Sequence, residues 1–196
     1  MSLWGATDSD ESKPKNLTTA EKKQVFANSS GWVLEAGSSL SGNDNTSATP
    51  EVLVAIGGLA TSIGAADVTE VEWITTAADK SAGFTLSVRV RYNEAVTVTG
   101  SPTIAVTNGN QGSGSGRGPH TLVYASGTGT NELIFNLAIA AANAATNADD
   151  VLTIGAQNVL KPGGATIKDT AGTNSDSAVA ISGAQGTAAG TLTVVA

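Results

Sequence analysis

Apolar residues recur at every second position between residues 84 and 92. Phe84, Leu86, Val88, Val90 and Tyr92 alternate with Thr85, Ser87, Arg89 and Arg91, a period of two that describes a strand with one face buried and the other toward water. The same period begins near Val68 and includes Val71 and Trp73. Further short apolar runs at 96–98, 103–106, 121–125, 132–139, 151–154, 159–160, 166–168, 179–181 and 192–195 read as strands. Gly100-Ser101-Pro102, Asn108-Gly109-Asn110, Gly127-Thr128-Gly129 and Pro162-Gly163-Gly164 punctuate them, as turn-forming residues do. Short strands at regular spacing, with no long helix between them, predict an all-β antiparallel sandwich over residues 67–196.

The front of the chain lacks that period. Residues 1–17 read as an extended arm, with Leu3 and Trp4 alone in polar sequence. Thr18-Thr19-Ala20-Glu21 matches a capping box. It predicts a helix over residues 19–28 that carries Val25 and Phe26 and ends near Asn28-Ser29-Ser30-Gly31. Trp32-Val33-Leu34 reads as a short extended piece, and residues 37–50 as a polar linker. In residues 51–63 the apolar positions suit a short helix or a strand, and Gly57-Gly58 weakens both. Residues 1–66 are therefore expected to be an N-terminal arm with one or two short helices, serving assembly and anchoring without a fold of its own. Trp73, Tyr92, Tyr124 and Phe135 alternate with polar neighbours and read as core. Leu3, Trp4, Phe26 and Trp32 do not, and are the expected anchors into a neighbouring subunit, since Trp is enriched where interfaces bind most tightly.

Composition narrows the picture. Hydrophobic residues are 40% but aromatics only 4%, so the core must be mainly Val, Leu, Ile and Ala. Charged residues are 14%, against about 25% in an ordinary soluble domain. Residues 1–30 carry four acids and four bases, so the rest, with thirteen acids and six bases, holds the whole net charge of −7. An acidic body repels nucleic-acid phosphates and anionic membranes, and neither is an expected partner. No cysteine is present, which excludes disulfides and thiolate chemistry. Met1 to Asp10 has no apolar centre and does not read as a secretory signal, and residues 52–63 are too short a run to cross a bilayer.

Candidate chemistry is sparse. His120, the only histidine, has no motif supplying an orienting partner, and it is expected at the surface. Residues 112–118, Gly-Ser-Gly-Ser-Gly-Arg-Gly, fit neither the dinucleotide fingerprint nor a phosphate loop and read as a flexible connection. Arg117 and His120 are accordingly candidates only for binding from an exposed loop. Asp8 to Glu11 and Asp149-Asp150 lack the spacing of a calcium loop and are expected to be solvated turns. Glu70 with Glu72, and Glu94 with Glu132, are expected on a solvent-facing strand face. No catalytic, cofactor or metal residues are assigned, and the chain is not expected to be an enzyme.

Two resemblances sharpen this reading. The run from Phe84 to Ile104, FTLSVRVRYNEAVTVTGSPTI, is similar to the opening of bacterial immunoglobulin-like repeats of surface adhesins. Residues 124–135 and 165–172 continue the likeness, which covers about residues 68–196. It implies an immunoglobulin-like β-sandwich. Met1 to Gly5, Asp8 to Lys15, Trp32 to Gly37 and Pro50 to Ile56 resemble the starts of virion structural proteins of marine cyanophages. That resemblance implies a phage particle component of the capsid decoration type, assembled in the host cytoplasm. It would be fastened to the major capsid protein or other virion proteins through the N-terminal region, and would be a homo-oligomer, with a trimer as the guess. The alternatives are a neck, tail or fibre component, or a module that binds a host-surface glycan through residues 109–119.

Overall fold

The structure, a computed structural model, describes residues 13–14, 16–109, 119–141, 146–171 and 176–196. The front elements are α1 (Thr19–Lys22), β1 (Val25–Asn28), β2 (Gly31–Leu34), β3 (Glu51–Ala55) and α2 (Leu59–Ser62). Then follow β4 (Val68–Trp73), β5 (Ala78–Asp79), β6 (Phe84–Thr99), β7 (Thr103–Asn108), β8 (His120–Ser126), β9 (Thr130–Ile139), β10 (Val151–Thr153), β11 (Gln157–Asn158), β12 (Thr166–Asp169), β13 (Ala180–Ile181), α3 (Gly183–Ala189) and β14 (Thr191–Val195). Among the described residues, three short helices and a 3-10 turn at Pro162–Gly164 apart, the regular structure is strand, so the fold is all-β.

Among the described residues twelve strands form one sheet, ten of them along the path β3-β2-β1-β6-β9-β8-β7-β10-β14-β5, with β4 and β12 off it and paired to β6. β11 and β13 pair separately. The 16-residue β6 is the hub. Its first half lies between β4 and β9, with Val90 opposite both Val71 and Leu133. Its last residues pair with β12, Thr99 opposite Thr166. Between these stretches the register to β9 breaks from Arg91 to Val96, and β1 makes a parallel bridge, Ala27 to Glu94. The alternation of burial breaks at the same place, because residues 90–94 are all buried. A strand covered on one face by the core and on the other by a docked unit has no free face left there.

One core cluster runs from Val71 on β4 through Leu86, Val88, Leu122 and Phe135 to Leu192 and Val194 on β14. β4, which pairs with β6, and β14, near the far end of the path, thus share an interior. α3 closes the gap: Gln185 Nε2 donates to the Val68 carbonyl at 2.9 Å, and Trp73 Nε1 to the Gly190 carbonyl at 3.3 Å. A second, smaller cluster belongs to the front elements, with Val25, Ala27, Trp32, Leu34, Leu59 and Ala60 at its centre.

The front elements differ from the helix expected over residues 19–28. The capping box is present, with Glu21 N donating to Thr18 Oγ1 at 3.3 Å and Thr18 N to Glu21 Oε2 at 2.7 Å. The helix nevertheless ends at Lys22, and Val25–Asn28 is a strand. One hydrogen-bonded turn is worth little alone, and Val25-Phe26-Ala27 gain more by pairing with β2 and burying both faces. The hairpin turns on Asn28, whose Oδ1 accepts from Ser30 N at 2.7 Å and Gly31 N at 3.2 Å. Residues 51–63 resolve into both readings, β3 and then α2, with Gly58 left-handed between them (φ 71°). Residues 37–50 carry no strand or helix, as a linker should. α3 was not expected, although Ser182 and Gln185 form a capping box of the same kind as Thr18 and Glu21.

Gly31 makes this hairpin possible. Its φ is 138°, and a Cβ there would stand 2.0 Å from the Val54 carbonyl oxygen of β3. Gly31→Ala is expected to lower stability by more than about 1 kcal/mol, because the strand conformation and the close approach of β3 both exclude a side chain. The midpoint of a urea unfolding curve measures this.

Candidate functional site

Cross-strand register concentrates charge on one patch of the outer face. Arg91 lies opposite Glu70 on β4 and Glu132 on β9, and Arg89 lies opposite Glu72. In an open sheet these would be ordinary surface pairs. Here the front unit lies over them. Glu35, just past β2, and Lys23, just past α1, reach the same patch.

Arg91 is the centre. It is 6% exposed. Its Nη1 pairs with Glu35 Oε1, lies 2.7 Å from Glu132 Oε1, and donates to the Lys23 carbonyl at 3.2 Å. Its Nε donates to Glu72 Oε1 at 3.2 Å. Arg89 Nη1 donates to the same Glu72 oxygen at 2.8 Å, Lys23 Nζ pairs with Glu70 Oε1, and Asn131 Nδ2 donates to Glu35 Oε1 at 2.9 Å. Burial works against the charge on Arg91, yet Glu35 and Glu132 beside it hold the guanidinium above its ordinary pKa. Burial, then the charge of Glu35, pushes the Glu132 carboxyl up. Lys13 joins from the arm: its Nζ donates to the Lys22 carbonyl at 2.8 Å, and burial lowers its pKa to about 8.

A cleft of about 360 Å³ opens on this seam, lined by Lys23, Glu35, Glu70, Glu72, Arg89 and Arg91 among others. Its charges already face one another, so its chemistry is that of a fastening between the front unit and the sheet. Glu70 and Glu132, expected to face water on the strands, belong to it instead. Glu94 is 0% exposed and lies deeper, beside β1 and β12.

The expected anchors fall into two groups. Leu3 and Trp4 lie outside the described residues. Phe26 and Trp32 are 8% and 1% exposed within this chain. Trp32 packs on α2 in the front cluster, and Phe26 lines a cleft with Pro50, Gly129 and Asn131 against the body. Neither presents a surface to a neighbour, because the hairpin that carries them is covered on both sides.

The loop candidates divide likewise. Arg117 lies outside the described residues. His120, expected at the surface, is 5% exposed at the start of β8. Its Nε2 is 3.4 Å from Thr146 Oγ1, burial lowers its pKa and Asp150 partly restores it. Asp150, expected in a solvated turn, is fully buried and accepts from Asn108 Nδ2 and the Asn147 amide, each at 2.7 Å. Thr146, His120 and Asp150 resemble a catalytic relay in composition, but the Thr146 hydroxyl is itself fully buried and out of a substrate's reach. Among the described residues no group of three His, Cys, Asp or Glu side chains is placed to hold a metal ion.

The seam and the buried carboxylates were missed as a site because alternation assigns such residues to water. The signal available in sequence was the density of opposite charge: Glu70 and Glu72 on one strand, Arg89 and Arg91 on the next, Glu132 on a third. No family model, curated protein or solved structure matches the chain.

Proposed function

We propose that the protein is a structural component of a phage particle, a capsid decoration protein whose immunoglobulin-like sandwich projects from the shell. The observation that carries this reading is the fate of the charged side chains. Arg91 with Glu35 and Lys23 with Glu70 fix the front unit to the sheet, and Arg89 pairs with Glu72 within the sheet. Such a molecule is built to hold a shape. The change of partners along β6, from β4 and β9 to β12 and β1, fits a strand shared by the two layers of a sandwich. Away from that charged patch, exposed apolar side chains gather around Thr103: Val123 (42% exposed) neighbours it through the β7–β8 register and Leu160 (61% exposed) through a single bridge. Burying such a face against a protein lattice needs little charge desolvation. With Phe26 and Trp32 internal, anchoring falls to Leu3 and Trp4, and repetition over a symmetric shell adds avidity to weak contacts.

Purified empty, expanded capsids mixed with the full chain should retain it on sedimentation. A variant lacking residues 1–12, which removes no described element, should fold and lose that retention. Retention on host cells, with none on capsids and no effect of the deletion, would replace this reading with a glycan-binding module.

A further inference from the structure

Glu94 stands out among the buried charged side chains described. It is 0% exposed, and as a carboxylate it finds no hydrogen-bond donor at either oxygen. Its neighbour is another acceptor, Asp169 of β12, which is 1% exposed and receives the Ala171 amide at 2.8 Å. Asp67, ahead of β4, is the other charged group acting on it. Asp67 is held by Asn93, through the Asn93 amide to its carbonyl at 3.0 Å and its own amide to Asn93 Oδ1 at 2.7 Å. β1 brings Ala27 against Glu94 and contains no ionisable residue. Among the described residues, three acids and no base thus lie on Glu94's side of the junction where β1 and β12 both join β6. Two buried carboxylates in contact cannot both stay ionised, and one shared proton turns repulsion into a hydrogen bond.

We propose that Glu94 and Asp169 form a proton-operated latch: while they share a proton it holds β1 and β12 on β6, and loss of that proton loosens the junction between the front unit and the sheet. Burial first, then the charge of Asp169, raises the Glu94 carboxyl from 4.5 to about 8. Below 4.5 the folded and unfolded chains both carry the proton, and the contribution of the latch is complete. Between 4.5 and about 8 only the folded chain keeps it, so stability falls as pH rises, by up to about tenfold in the folding equilibrium per pH unit. Above that window the loss is complete and the slope vanishes.

The test uses the full chain. Carbon-detected NMR of the Glu94 carboxyl should give a titration midpoint above about 7, where an ordinary Glu titrates near 4.3. Amide exchange of β1 and β12, corrected for the intrinsic pH dependence, should lose protection between pH values of about 6 and 9. Glu94→Gln, which donates to Asp169 at every pH, should abolish that dependence. A Glu94 midpoint below about 6, or an unchanged pH slope in Glu94→Gln, overturns the proposal. If the variant does not fold, the carboxyl titration of the unaltered protein decides alone.

Discussion

Arg91→Ala is expected to destabilise the protein by about 3–5 kcal/mol, the range for removing one partner from a buried ion pair. Glu35, Glu72 and Glu132 pair with this guanidinium at close range, and Glu70 Oε2 lies 3.8 Å from its Nε. Without it they face one another around a partly closed cleft. Protonation relieves that mutual repulsion, so the penalty should shrink as pH falls. Urea unfolding at pH values of about 5 and 8 would show the larger loss at the higher pH. Arg91→Lys should restore little, because an ammonium cannot reach partners on several sides as the planar fork does. A loss below about 1 kcal/mol would mean that the seam behaves as ordinary solvated surface pairs.

Trp32→Ala should cost a similar amount, about 3–5 kcal/mol, for a large aromatic removed from a packed interior. The loss should be local. The front cluster is separate from the main one, so amides of residues 25–34 should lose exchange protection while those of β8 and β9 keep theirs. Unchanged stability together with lost assembly would instead identify Trp32 as an intermolecular anchor.

Much of the sheet was legible in the sequence because each strand carries its own signal. The alternation from Phe84 to Tyr92 and the turn residues around Gly100 and Gly127 fall where β6, β7 and β9 begin or end. Strand existence depends on local pattern, whereas what covers a strand's outer face does not. Arg89, Arg91 and Glu70 read as solvent-facing because one sheet face normally is, and only the docking of β1 and β2 turns that face inward. The same distance from local pattern hid the strand at Val25–Asn28, whose partner β2 is close in sequence but whose second partner, β6, is not. His120 and Asp150 were misplaced for a related reason. A histidine after a glycine loop and a pair of aspartates in a turn look exposed, and only tertiary pairing of Asp150 with Asn108 shows them buried.

The pairing of β5 with β14 bears on how the chain reaches this state. Ala78 lies beside Val194, and β10 has β14 as one of its two neighbours. Contacts between such remote stretches form late and slowly, and domains dominated by them take milliseconds to seconds to fold, about the slow end for their size. Until residues 191–195 arrive, β10 lacks a partner on one side and β5 has none, which leaves raw edges that another nascent copy could join. Yield on refolding should therefore depend steeply on protein concentration even where the finished molecule is stable.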